Sequence, residues 1–215
     1  MNVPYVEFRL QKVLNSYKYN GFVRASFLAI RTIRSLITTK VNSMYWSHNL
    51  RSAGRNLIVR PGVVIEVPKN ISLGDNCFIN YSTKITSECY SGALNAGDKL
   101  WISENSRIDI SGKIKIGDNV LMSNEVIIYT HDHGYDPHSS PTLNRLIIGN
   151  NVWIGARAVI LGKVSYIGDN SIIGCGSIVT ENVQKNTIVF GNPARSIRAR
   201  AKITSHFGIS SSGQF

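Results

Sequence analysis

From Val59 onward the chain carries inward-type residues every six positions. Val59, Ile65, Ile71, Cys77, Thr83 and Cys89 form one row, and Val67, Leu73, Ile79 and Ile85 follow two places behind. The beat breaks at Ser91-Gly92-Ala93-Leu94. It resumes with Ile102, Ile108, Ile114, Val120 and Val126 and their companions Ile110, Ile116, Met122 and Ile128. After a second break it returns at Leu146, Val152, Ala158 and Val164. One extra residue near Ser165-Tyr166 then shifts the phase to Ser171, Ser177, Val183 and Val189. Two inward positions two residues apart make a short strand, because side chains alternate across it. Six residues later the chain repeats the move on a new face, so three faces close a coil of about 18 residues. The span 59–192 then holds roughly seven coils, stacked so that a continuous apolar column is buried that no single coil could bury alone. The turns Gly74-Asp75-Asn76, Gly117-Asp118-Asn119, Gly149-Asn150-Asn151 and Gly168-Asp169-Asn170 fall at corners, where these residue types tolerate tight backbone angles. A sandwich would need strands of about 5–6 residues at wider spacing, which a six-residue beat excludes.

Ahead of the repeat the period is helical. Residues 5–19 and 22–40 read as two amphipathic helices hinged near Asn20-Gly21. In the second, Phe22, Val23, Phe27, Ile30, Ile33 and Ile37 recur at three- and four-residue steps, with Arg24, Arg31 and Arg34 between them. Such a helix can lie on an anionic membrane surface or pack its stripe on the neighbouring body or another subunit. The domain reading is a helical extension over 1–46, a β-helix over 47–200 and a tail over 201–215.

Composition narrows the function classes. With 43% hydrophobic and 17% charged residues the chain is a folding sequence and not a disordered one. The net charge of +11 would suit nucleic acid, but its placement does not. Residues 1–60 carry ten Lys and Arg against a lone Glu7, so the repeat is nearly neutral and no nucleic-acid partner is expected. Cys77, Cys89 and Cys175 are widely spaced without a CxxC pair, which argues against a disulfide framework or structural zinc and for reduced thiols in the cytoplasm. No stretch approaches the roughly 18 apolar residues of a membrane span.

The second break, Tyr129-Thr130-His131-Asp132-His133-Gly134-Tyr135 and on to Arg145, holds His131, His133 and His138 of the chain's five histidines. A regular scaffold interrupted by a polar, histidine-bearing loop is a rigid way to present a reactive group. Three imidazoles near Asp132 could in principle hold zinc, but their spacing lacks a defined ligand geometry and no metal is expected.

Ile-Gly-Asp-Asn at 116–119 and 167–170, Val152-Trp153-Ile154-Gly155-Ala156, Ile173-Gly174-Cys175-Gly176-Ser177 and Gly191-Asn192-Pro193-Ala194-Arg195 occur along the repeat. Over roughly residues 55–200 the sequence resembles the hexapeptide-repeat acyltransferases, nearest to the branch that acetylates sugars, O-antigen and capsule included. The resemblance implies an all-β left-handed parallel β-helix, a homotrimer, and acetyl-CoA and acceptor bound in clefts between subunits. It also implies an acetyl-CoA-dependent O-acetyltransferase acting on a surface-polysaccharide sugar or its precursor. Alternatives on the same scaffold are an amino-sugar N-acetyltransferase, a metal hydrolyase or a non-catalytic scaffold.

Transfer from a thioester to a hydroxyl needs a base for the hydroxyl proton and a donor for the oxyanion. The family position of the base corresponds to His131, with His133 as competitor. Asp132 or Asp136 could orient the imidazole, and Asn124, Glu125, Asp132 and Tyr135 are candidates for binding the sugar. For acetyl-CoA the corresponding positions are Trp153, Gly155, Ala156, Gly174, Cys175 and Thr180, with Arg195, Arg198 and Lys202 placed for its phosphates. Trp153 could equally serve a subunit interface. Glu181 stands where relatives commonly carry Lys, which removes a phosphate contact there. The N-terminal residues 5–40 suggest peripheral contact with the inner face of the cell membrane.

Overall fold

A computed structural model describes residues 3–199, and side chains over 11–197. Arg198 (side chain), Lys202 and the 201–215 tail lie outside the described residues. The repeat is a parallel β-helix of about seven turns, left-handed, with three sheets as its sides. One sheet runs in six strands from Ser52–Ala53 to Tyr166–Ile167. The second has eight strands, starting at Ile58–Val59, and the third runs in six from Val64–Ile65 to Ile178–Val179. Within these sheets, direction reverses at the end, where Thr187–Gly191 pairs antiparallel with Ala194–Ala199.

The inward rows are the core. Ile79, Ile85, Ile102, Ile108, Met122, Ile128, Ile154 and Ile160 are fully buried, and each such side chain stabilises the stack by about 1.5–3 kcal/mol. Strand partners lie 20 residues apart at Ser52↔Ser72 and 19 apart at Trp153↔Ile172. The coil is therefore longer than three hexapeptides, because corners such as the 3₁₀ turn Pro68–Asn70 absorb extra residues. Cys89 leaves the inward row; its coil breaks open at 87–92, and its thiol donates to the Ser111 carbonyl at 3.1 Å.

The Gly-Asp-Asn corners stack on one another. The backbone N–H of Asp75 donates to Asp98 Oδ1, that of Asp98 to Asp118 Oδ1 and that of Asp118 to Asn150 Oδ1, each at 2.8 Å. A Cβ on Gly74 would run into Gly97 and Asp98 of the next coil, so only glycine lets the corners approach. Asn76, Asn119, Asn151 and Asn170 sit in the left-handed region, with φ of 55–59°, where asparagine is favoured.

The N-terminal helix spans Val3–Asn49 and is broken at Gly21, whose φ of 79° and ψ of 172° no helix permits. The hinge falls where expected, and the second segment continues past residue 40 to Asn49. Its small polar face meets the body. Ser43 Oγ accepts the Val59 N–H at 2.9 Å, the buried Arg60 donates to Thr39 Oγ1 at 3.0 Å, and Ser35 and Tyr81 hydroxyls share a 2.9 Å bond. The apolar stripe therefore does not pack on the body of its own chain: Phe22, Val23, Phe27, Ile30, Ile33, Ile37, Val41 and Met44 all face away, exposed.

Candidate active site

The histidine loop leaves the third sheet after the strand Ile127–Ile128. Thr130 is buried, and His131–Asp132 pairs antiparallel with Thr142–Leu143, which turns the interruption into a short hairpin. Asn144 pins its return: the backbone N–H donates to the Thr130 carbonyl at 2.8 Å, and Nδ2 to the Gly162 and Val164 carbonyls at 2.9 and 3.1 Å. The loop can lie this flat only over glycine. A Cβ on Gly112 would meet the Asn144 carbonyl, and one on Gly162 the His131 carbonyl.

Beneath the loop root lies Asp109, 3% exposed, at the end of the strand Arg107–Asp109. Its Oδ1 accepts the amide N–H and hydroxyl of Ser111. Its Oδ2 accepts the Thr130 N–H, the Thr130 hydroxyl and His131 Nδ1–H, each at 2.8 Å. Burial pushes this carboxyl up, but the donors from Ser111, Thr130 and His131 outweigh it and hold the group below the ordinary aspartate value. An ionised carboxylate can only accept, so Nδ1 of His131 carries the hydrogen and Nε2 presents its lone pair outward. An imidazole held in this way can take a proton at Nε2, while the buried carboxylate stabilises the imidazolium that forms.

His133 is held differently: its Nδ1 donates to the Ser139 carbonyl at 2.8 Å. Both Nε2 atoms face Glu88, His131 at 3.2 Å from Oε1 and His133 at 3.4 Å from Oε2. Glu88 comes from the opened coil, and its backbone N–H donates to Ser111 Oγ at 2.8 Å. Ser111 thus ties it to the Asp109 cluster. Tyr129, His131, Asp132, His133, Leu161, Gly162 and Lys163 line an open pocket of about 340 Å³ here. Among the described residues Glu88, His131 and His133 are the group able to hold a metal ion, with ligand atoms within 4.8 Å of one another.

The remaining sequence candidates scatter over the prism. Asp132 and Asp136 do not orient an imidazole; they accept the N–H of Gly134 and of His138 and shape the loop's own turns. Tyr135 is fully exposed at the loop tip. Asn124, Glu125, Gly155, Ala156, Gly174 and Cys175 lie at the corner before the third sheet, where Glu125 pairs with Arg157 at 2.9 Å. His131 lies beyond the opposite edge of that sheet, roughly 15–20 Å away at 3.3 Å per residue. Thr180 is on the His131 side, one coil past Leu161, whose N–H bonds the Val179 carbonyl. Gly155 already has a steric reason to be glycine, since a Cβ would meet Ile173 and Cys175 backbone at 2.8 and 2.7 Å. Trp153 donates to Ser123 Oγ at 3.0 Å and faces outward beside Leu121. Arg195 is half-engaged by Glu181 at 3.4 Å. Sequence reasoning missed Asp109 and Glu88. The available signal was an acid between two inward residues, Ile108-Asp109-Ile110, one coil before the loop root.

No family model matches the sequence. Galactoside O-acetyltransferase of Escherichia coli is 33% identical over 147 residues, 68% of this chain but 63% of that protein, less than two thirds of its length. WcaF of Escherichia coli, named for acetyl transfer in colanic acid biosynthesis, is 30% identical over 132 residues, 60% of this chain and 70% of its own. The chain belongs to the hexapeptide-repeat acyltransferases. An N-acyltransferase from Bacillus cereus, solved with dTDP and 3-hydroxybutyryl-CoA, superposes with a TM-score of 0.65. It covers 74% of this chain and 88% of its own at 21% identity, a likeness of fold. The Asp109–His131 pair of this chain stands at the root of the loop that interrupts the repeat.

Proposed function

We propose that this family member is an acetyl-CoA-dependent O-acetyltransferase acting on a sugar hydroxyl of a surface polysaccharide or its lipid-linked precursor. One observation carries the reading: a buried, ionised Asp109 accepts Nδ1–H of His131, a residue that lines an open pocket, and leaves the Nε2 lone pair available beside Glu88. His131 is the general base. It removes the hydroxyl proton as the oxygen attacks the thioester carbonyl, and it returns the proton to the departing CoA thiolate. His133, which lines the pocket, and Glu88 beside it are proposed to meet the acceptor. The names of the two curated relatives support acetyl transfer to sugars, while the Bacillus N-acyltransferase keeps N-acetylation of an amino sugar as the second reading.

Trp153, Gly155, Ala156, Gly174 and Cys175 are proposed to hold the pantetheine arm, with Arg195 and Arg198 on the phosphates. These groups and His131 lie at different corners of one prism, so a homotrimer is proposed that sets the corner of one subunit against the loop of the next. The outward apolar row Phe78, Trp101, Leu121 and Trp153 supports such packing. Among the described residues no helix is long and apolar enough to cross a membrane. The exposed stripe over 22–44, with Arg24, Arg31, Arg34 and Lys40 around it, supports peripheral contact with an anionic membrane face, where a lipid-linked acceptor would be met.

Purified chain given acetyl-CoA is tested against oligosaccharides and against amino-sugar nucleotides, with CoA release as readout. Release with neutral oligosaccharides is expected. Release with amino sugars alone would move the assignment to N-acetylation, and release with neither would sink acetyl transfer.

A further inference from the structure

Three acceptors meet beside the pocket with no donor between them, His131 and His133 from its lining and Glu88 next to them. His131 Nδ1–H is committed to Asp109 and His133 Nδ1–H to the Ser139 carbonyl. In the neutral imidazoles both Nε2 lone pairs therefore point at the Glu88 carboxylate, at 3.2 and 3.4 Å. Lone pairs aimed at a carboxylate repel it, whereas a cation set among the three groups attracts all of them. The spacing suits a metal: tetrahedral zinc with bonds of about 2.0–2.1 Å holds adjacent ligands about 3.3 Å apart. Each Nε2 lies near that distance from one Glu88 oxygen, His131 from Oε1 and His133 from Oε2, and one ligand atom from each of the three residues lies within 4.8 Å of the others. The outer partners of the imidazoles, a buried carboxylate and a backbone carbonyl, are those that orient histidine on a metal. Two imidazoles with one carboxylate disfavour magnesium and calcium, which prefer all-oxygen shells.

We propose that Glu88, His131 and His133 form a zinc-binding site whose occupancy shuts off acetyl transfer. Zinc takes the Nε2 lone pair of His131, the same pair that must accept the acceptor's proton, and leaves one coordination position open to the pocket. The binding stands on geometry alone; the shut-off rests on His131 being the base.

The test uses the untagged full-length chain, stripped with chelator and titrated with Zn²⁺ against a chromophoric competitor, with Co²⁺ as the spectroscopic substitute. One metal per chain is expected, with nitrogen and oxygen ligation and no thiolate charge-transfer band. Glu88→Gln and His133→Ala should each weaken binding at least tenfold while melting within a few degrees of the parent. Cys175→Ser, which removes the exposed thiol, should leave binding unchanged. Substoichiometric binding, a thiolate band, or undiminished affinity in Glu88→Gln would overturn the site. Acetyl transfer should fall in proportion to occupancy and recover on chelation. Full activity at full occupancy would overturn the shut-off alone. Zinc binding by a chain that releases CoA with no acceptor would keep the site and remove the shut-off along with the proposed function.

Discussion

Replacing Asp109 with Asn isolates what its charge does for His131. The two carboxylate oxygens are not equivalent. Oδ2 serves three donors at 2.8 Å, while Oδ1 serves only Ser111, whose amide is at a longer 3.2 Å. In Asp109→Asn the new side chain would keep its oxygen on the crowded side and turn its amide toward Ser111, whose hydroxyl can rotate to accept. His131 then keeps its tautomer and its direction and loses only the negative partner. A hydrogen bond to a charged group is worth about 1.5–3 kcal/mol and a neutral one about 0.5–1.5. The imidazolium formed in the transition state is therefore less stabilised by about 1–2 kcal/mol, which is about five- to thirtyfold in kcat. CoA release at saturating acceptor should show that drop with KM for acetyl-CoA within about twofold. Combined with His131→Ala the substitution should cost nothing further, because its effect passes through that ring. Unchanged kcat in the single variant, or losses that add in the double, would refute the coupling.

His131→Ala with His133 intact should lower kcat by about 10²–10⁴, whereas His133→Ala should act more on acceptor KM; the reverse pattern in steady-state kinetics would exchange their roles. The depressed pKa of Asp109 gives its charge a stabilising contribution that is fully present above the ordinary aspartate value, about 3.9. That contribution fades as pH falls through the lower folded value, so the difference in Tm between parent and Asp109→Asn should hold from neutral pH down to the ordinary aspartate value and shrink on further acidification in thermal melts. Phe27→Glu with Ile30→Glu changes two exposed side chains. It should leave Tm unchanged yet cut co-sedimentation with phosphatidylglycerol vesicles at least tenfold; a change in oligomer mass with undiminished sedimentation would instead make the stripe a subunit contact. Gly162→Ala should displace the His131 carbonyl and lower kcat more than it lowers Tm.

Local pattern alone determined much of this protein. The six-residue alternation dictates short strands on successive faces, and the Gly-Asp-Asn corners and the break at Gly21 follow from residues whose backbone preferences act within a few positions. His131 was legible for the same reason, being the first histidine after the last inward residue before the repeat stops. Tertiary structure decided what acts across coils. Asp109 meets His131 from 22 residues away, and Glu88 arrives from a coil further still. Their alignment depends on how many residues each turn absorbs, 23 from Phe78 to Trp101 and 20 from Arg107 to Ile127, a length that inward spacing does not encode. The amphipathic helix was visible as a pattern, but which face it turns to the body was not. Three small hydroxyl residues, Ser35, Thr39 and Ser43, bond to Tyr81, Arg60 and Val59 on the first coils and so turn the apolar stripe outward. Hydrophobic periodicity names a face to be covered; only the partners available in three dimensions determine what covers it.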